Sequence, residues 1–239
     1  MHLTDMDLQQ LLQKGGVHCD ACGHTHHCDV EEVLLGSGVA SRTAEVLARH
    51  GIHHPFVVCD ENTRRVAMAQ AEASLKAADM PYVVCSLGEG HIEPDEAAVG
   101  ALTMAFQPCC DGILAVGSGV INDCCKVLAH TAGCRSVVVG TAPSMDGYAS
   151  NSASMIQNRV KVSLSTGCPV AIIADTAIMK DAPMRMLQAG YGDMIAKYCA
   201  LCEWRISNLV TGEPYCEEIA AMVRKSLRQV IEGADKLPQ

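Results

Sequence analysis

Aromatic side chains are scarce: one Trp, five Tyr and two Phe make up 3% of the 239 residues. That shortage removes the stacking surface on which single-stranded nucleic acid is usually held. Basic clusters are missing as well. Lys and Arg total 18 against 27 Asp and Glu, for a net charge of -9, so nucleic acid is not an expected partner. No apolar run reaches transmembrane length, and the N-terminal MHLTDMDLQQ has no signal-peptide pattern. Membrane insertion is therefore not expected, and a cytoplasmic location is. Internal repeats and low-complexity tracts are absent, and no histidine follows His130.

What is present is a chain that is 49% hydrophobic, enough to bury a core as one large or two small units. In a reducing compartment its 14 cysteines read as thiols rather than as a disulfide framework. Several, such as Cys124, Cys125 and Cys199, fall inside apolar periods, where cysteine behaves as a small hydrophobe.

Short apolar runs alternate with helical periods. Strands are predicted at Glu32–Gly36, Pro55–Asp60, Tyr82–Cys85, Asp111–Gly117, Ser136–Val139 and Val170–Ala174. Between them, helices are predicted from Ser41 to His50, from Glu61 with Val66, Ala69 and Leu75 on one face, and from Asp95 to Phe106. A further helix starts just after Gly119, where Ile121, Cys124, Cys125 and Leu128 form an i, i+3, i+4, i+7 face. This alternation argues for an α/β fold, a doubly wound, Rossmann-like parallel sheet. Beyond about Thr166 the character becomes helical: Met184–Gln188, Asp193–Leu209 and Tyr215–Leu237, the last with Ile219, Met222, Val223, Val230 and Ile231 on one face. Two units are expected, 1–168 as an α/β nucleotide-binding domain and 169–239 as the start of an all-α domain, with a cleft between them.

The segment GTAPSMDGYASNSAS, Gly140 to Ser154, follows a strand with small hydroxylic residues around one carboxylate, Asp146. It has too few large apolar groups to be a core element and reads as a loop delivered to a site. GSGVINDCCK, Gly117 to Lys126, joins a strand to a helix. Its glycines let a phosphate approach the backbone, and the helix N-terminus offers free N–H groups. It is neither GxGxxG nor a GK[ST] loop, and a plain glycine-rich turn capped near Asn122 or Asp123 fits the pattern equally well. Asp60, at a strand end, could bind a ribose hydroxyl, but a helix cap before Glu61-Asn62-Thr63 is preferred. In GYGDMIAKY, Asp193 follows two glycines at what reads as a helix start. It is either a dipole-complementing residue that pairs with Lys197 at i+4 or a metal-binding carboxylate. HCDACGHTHHCD holds Cys19, Cys22, His24, His26, His27 and Cys28, ligand types that suit zinc. The run is compressed, however, where structural zinc sites draw on two separated knuckles. This favours adventitious or absent metal.

DGILAVGSGVINDCCK, VVVGTAPSMDGYASNSAS and ADTAIMKDAPMRMLQAGYGDMIAKYCALCEWRIS together resemble the glycerol-1-phosphate dehydrogenase family. That family belongs to the group of glycerol dehydrogenases, iron-type alcohol dehydrogenases and dehydroquinate synthases. The resemblance covers nearly the whole chain, and TAPSMDGYAS is its most specific piece. It implies an NAD(P)-binding α/β half, a helical half and a divalent metal between them, zinc or nickel. The implied reaction is reversible hydride transfer from NAD(P)H to dihydroxyacetone phosphate, giving sn-glycerol 1-phosphate for membrane phospholipid or another phosphoglycerol pathway. Carried over by motif, Gly117, Gly119, Val120, Ile121, Asn122 and Asp123 would hold the cofactor pyrophosphate. Thr141 and Ser144 would lie near its nicotinamide end, and Ser150 would also touch it. Asp146 would bind substrate. Asp193 would be the carboxylate ligand of the metal and so lie close to substrate.

The chain departs from this pattern in one respect. The resemblance implies two histidine ligands beyond Asp193, and none exists here. One carboxylate cannot hold a catalytic zinc, which normally takes about three protein ligands. An N-terminal fragment of a longer enzyme is the simplest expectation, with unpartnered apolar helix faces that leave room for a homo-oligomer. A polyol or alcohol dehydrogenase of the same superfamily, or a non-catalytic nucleotide-binding module, are the alternatives.

Overall fold

The computed structural model describes residues 2–236. An N-terminal segment carries a short helix α1 (Leu8–Leu11) and a two-residue ribbon, β1 (Val17–His18) against β2 (Thr25–His26). Then come β3 (Glu32–Gly36), α2 (Thr43–Arg49), β4 (Pro55–Cys59), α3 (Glu61–Thr63), α4 (Ala69–Ala77) and β5 (Val83–Ser86). They are followed by α5 (Glu96–Ala105), β6 (Gly112–Gly117), α6 (Gly119–Ala132) and β7 (Arg135–Gly140). A hairpin, β8 (Ser152–Gln157) and β9 (Val160–Ser165), precedes β10 (Ala171–Asp175), α7 (Thr176–Met179), α8 (Met184–Thr211) and α9 (Glu217–Glu232).

Six strands form one parallel sheet in the order β3-β10-β7-β6-β4-β5. Its central strands are buried on both faces, which is why they read as unbroken apolar runs. Along β4, Phe56 and Val58 enter the cluster under α5 and α6, while Val57 and Cys59 enter the one under α2 and α4. Helices therefore cover both faces, and the doubly wound α/β reading holds. From β4 the chain moves outward to β5, then returns to β6 and runs the other way through β7 and β10. The reversal between β4 and β6 is where such sheets open a ligand crevice at their C-terminal edge.

Several expectations need correction. The boundary expected at 168 precedes β10, which lies between β3 and β7 inside the sheet, so the α/β part extends to Asp175. Met184–Gln188 and Asp193–Leu209 are one continuous helix, α8, and Asp193 lies within it rather than at its start. Val66 and Ala69 face solvent, because a π-helical turn over Arg64–Met68 shifts the register and turns Ala67, Met68, Ala71 and Leu75 inward. The segment up to Ser154 is not all loop. Ser152 begins β8, and Ala153 and Met155 are core residues on its inner face. On α9 the buried residues are Ala220 and Leu227, and Ile231 is exposed. Near the end of α8, Ile206, Leu209 and Val210 are also exposed. Among the described residues no helix is long and apolar enough to cross a membrane.

Candidate active site

Gly117 and Gly140 end β6 and β7 as paired neighbours at the C-terminal edge of the sheet. Gly117 cannot carry a side chain, because a Cβ there would stand 2.5 Å from Ile121 Cβ, so strand and helix meet closely. After Gly117 the chain turns directly into α6. Ser118 is the N-cap, and its side chain makes no capping hydrogen bond. The first amides of α6, at Gly119, Val120 and Ile121, are thus left to other acceptors, with the positive end of the helix dipole behind them. The Asn122 amide is already in the helical ladder, donating to Ser118 O at 2.9 Å. Over Gly119 only the flexible Met145 side chain comes near. The nearest atom to a Cβ built there is Met145 Cγ, at 3.9 Å.

The loop from Thr141 to Ser150 is held from below. Lys126 is buried on the inner face of α6. Its ammonium donates to the carbonyls of Gly147 at 3.2 Å, Ser150 at 3.3 Å and Ser152 at 2.5 Å, and it pairs with Asp123 at 3.0 Å. Asp123 uses its other carboxylate oxygen to accept the Ser154 N–H at 3.0 Å. The Tyr148 hydroxyl donates to Ala142 O at 2.8 Å, and burial pushes its phenol well above the usual range. Sequence reasoning missed both Lys126 and Tyr148. The available signal was a lysine and an acidic residue at i−3 inside an otherwise apolar helix face.

Asp146 and Asp193, 47 residues apart, meet above this loop. The Asp146 N–H donates to Asp193 Oδ2 at 2.9 Å. Lys197 lies one turn beyond Asp193, with its ammonium 3.1 Å from Asp146 Oδ2 and 3.8 Å from Asp193 Oδ1. The i+4 pairing of Lys197 with Asp193 is present, and it extends to Asp146. What makes the meeting close is Gly190. A Cβ at that position would lie 1.9 Å from the Pro143 carbonyl oxygen, so α8 presses its backbone against the loop. Between them is a cavity of about 290 Å³, lined by Pro143, Met145, Asp146, Leu187, Tyr191 and Met194 among others. A larger groove, about 640 Å³, lies beside β3. Its charged side chains are used in pairs such as Arg49–Glu32 and His50–Glu32.

Thr141 is buried at the end of β7, and Ser144 and Ser150 are half-buried along the loop. Asp60 caps α3, accepting from the Thr63 N–H at 2.8 Å. The helix-cap reading holds for it.

The family model for iron-containing alcohol dehydrogenases matches residues 34–183, more than half of the chain. The chain belongs to that family. Among its relatives is the glycerol-1-phosphate dehydrogenase [NAD(P)+] of Halalkalibacterium halodurans. It is 32% identical over 220 residues, covering 90% of this chain and 55% of the relative. The enzyme of the same name from Pyrococcus furiosus is 34% identical over 206 residues, covering 85% of this chain and 58% of the relative. In fold, the chain is similar to the NADH-dependent butanol dehydrogenase A of Thermotoga maritima. The TM-score is 0.76 at 16% identity, over 91% of this chain and 58% of that one. The chain thus spans somewhat more than half the length of these relatives.

Proposed function

We propose that this chain provides the dinucleotide-binding part of an NAD(P)-dependent oxidoreductase that interconverts dihydroxyacetone phosphate and sn-glycerol 1-phosphate. The observation that carries the reading is the uncapped N-terminus of α6, at the reversal of the sheet, where Met145, the neighbour of Asp146, comes nearest to Gly119. Unengaged amides at Gly119, Val120 and Ile121, with only the flexible Met145 side chain near Gly119, fit a pyrophosphate. Thr141, Ser144 and Ser150 continue the same edge toward the loop, as a cofactor extending from phosphate to nicotinamide requires. When bound, NAD(P)H supplies the hydride that reduces the ketone carbon.

The chain's own groups orient the substrate. Asp146 accepts a hydrogen bond from a substrate hydroxyl, and Asp193 fixes Asp146 through its backbone N–H. Lys197 offsets the charge of the two carboxylates and holds both at one spot. The half-buried small residues of the loop admit a polyol phosphate close to the backbone.

A divalent metal, zinc or nickel, does not fit the donor set described at Asp193. Its neighbours are Asp146 and the Lys197 ammonium, and no histidine or cysteine groups with it among the described residues.

NADH titration followed by fluorescence tests the binding site. Gly119→Val fills the approach to the amides and should weaken binding at least about tenfold, since a displaced phosphate loses several amide contacts, each worth a charge-assisted hydrogen bond. Equal affinity in parent and variant would sink the assignment. Substrate class is tested by comparing dihydroxyacetone phosphate with glycerol and simple alcohols. The incomplete donor set at Asp193 favours one further reading, a nucleotide-binding module without turnover. Saturable NADH binding with no reduction of dihydroxyacetone phosphate, metal supplied, would establish it.

A further inference from the structure

The N-terminal run HCDACGHTHHCD is not an isolated cluster once folded. Cys19, Cys22 and His26 converge with Cys216, nearly two hundred residues later, and their four ligand atoms all lie within 4.8 Å of one another. Cys19 Sγ is 3.7 Å from Cys216 Sγ, and Cys22 Sγ is 3.3 Å from His26 Nε2. Tetrahedral zinc, with Zn–S about 2.3 Å and Zn–N about 2.0–2.1 Å, sets two sulfurs about 3.8 Å apart and a sulfur and a nitrogen about 3.5 Å apart. These two separations match such a shell, and the remaining ones, all within 4.8 Å, leave a short closure onto an ion. They are too long for a disulfide, whose sulfurs sit about 2.0 Å apart.

The backbone is shaped for the same purpose. Cys19 and Cys22 bracket a tight turn in which the Gly23 N–H donates to Cys19 O at 2.8 Å and the Cys19 N–H to His24 O at 2.9 Å. Gly23 has φ +72°, a left-handed conformation that a glycine after the second cysteine adopts without strain. The fold also sorts the run. Cys19 is buried and Cys22 and His26 are half-buried, while His24, His27 and Cys28 face solvent.

We propose that Cys19, Cys22, His26 and Cys216 form a structural Cys3His zinc site that fastens the N-terminal segment to the start of α9. The second knuckle that the sequence appeared to lack is Cys216, the N-cap of α9. The segment needs such a staple. Among the described residues before Val30, this segment buries only Leu3, Val17 and Cys19, against Cys216 with Trp204, Ile219 and Met222, and a core that small does not hold unaided. Supporting contacts follow the same line: Leu3 N–H and His2 bond Glu218 at 3.1 and 3.0 Å, and Lys225 bonds Thr4 O at 2.6 Å. The site is separate from Asp193 and stands whether or not the dehydrogenase reading does.

The test is metal content of the untagged chain, purified under reducing conditions with zinc in the medium, together with cobalt substitution. One zinc per chain is expected, with thiolate-to-cobalt charge transfer and the strong visible bands of tetrahedral cobalt. Cys216→Ser and Cys22→Ser should each lose at least fivefold of the bound zinc. Cys28→Ser, His27→Ala and Asp193→Asn should keep it. If the serine variants fold poorly, His26→Cys decides: it should retain zinc and show stronger sulfur charge transfer. The proposal is overturned if the parent chain takes up no zinc, or if Cys28→Ser loses as much as Cys216→Ser. It is equally overturned if cobalt shows no sulfur ligation, or if peptide mapping finds Cys19 and Cys216 joined as a disulfide.

Discussion

Replacing Gly190 by alanine tests how the two site carboxylates are brought together. The new Cβ would stand 1.9 Å from Pro143 O and 2.9 Å from its carbonyl carbon, and both are backbone atoms that cannot swing aside. Restoring even a 3.0 Å gap requires α8 and the loop to part by about 1.1 Å, the difference between 3.0 and 1.9 Å. Overpacking of this kind costs about 1–3 kcal/mol. Alanine in place of glycine inside a helix returns about 1 kcal/mol. Gly192, two residues on in the same helix, has nothing within 4 Å of its Cβ position, so Gly192→Ala collects the gain without the clash. The difference between the two variants cancels the helix-propensity term and isolates the contact. Urea unfolding should therefore find Gly190→Ala about 1–3 kcal/mol less stable than Gly192→Ala. Hydrogen exchange gives the local readout, because the Asp146 amide, bonded to Asp193 Oδ2, should lose protection only in Gly190→Ala. In an oxidoreductase of the proposed kind a shift of about 1 Å between such groups is worth about a hundredfold in turnover. Equal stabilities with an unchanged Asp146 amide would refute the claim that Gly190 sets this junction.

Four further outcomes follow. Lys126→Met leaves three carbonyls and Asp123 without their cation and should destabilise the chain by about 3–5 kcal/mol in urea unfolding, the usual cost of breaking a buried pair. Tyr148→Phe removes the bond to Ala142 O and should cost about 0.5–1.5 kcal/mol while weakening NADH binding through a looser loop. Burial pushes the Cys124 thiol up to about 12 and the Cys59 thiol up to about 11 from 9.0. The folded state then holds protons that the unfolded chain releases. That stability is full below pH 9 and falls between 9 and the raised values, by about 1.4 kcal/mol per pH unit for each thiol. Cys124→Ala should flatten the alkaline limb of a stability–pH curve, and an unchanged limb would contradict the assignment. Asp146→Asn in the assembled enzyme should lose most turnover while keeping cofactor affinity, measured by steady-state kinetics beside NADH titration.

The strands, and the buried face of α6 at Ile121, Cys124, Cys125 and Leu128, were legible because burial on a regular element leaves a period in the sequence. The π-helical turn at Arg64–Met68 left none, since one extra residue in a turn looks like ordinary helix until its register slips. The β8–β9 hairpin was hidden by serine. Alternating Ser152, Ser154 and Ser163 reads as loop chemistry, although Ala153 and Met155 between them supply the inner face. Gly190 looked like a helix breaker because glycine is a poor helix former, whereas its cost is outweighed by a contact with Pro143 that no local pattern encodes. The convergence of Cys216 with Cys19 and of Asp193 with Asp146 is likewise a property of the tertiary fold, visible only when distant segments are laid side by side.

The place of β10 also has a consequence in time. Strand β3 has one partner in the sheet, β10, and Glu32 pairs with Ala171. During synthesis β3 therefore waits for 139 further residues (171 minus 32), roughly 7–28 seconds at about 5–20 residues per second. Until then its own edge and that of β7 lie open, each a row of unpaired backbone groups able to join another nascent chain. Any product that stops before Ala171 keeps both edges open permanently. The hazard for this protein is thus concentrated in its making, when the first strand of the sheet has been produced and the one that shelters it has not.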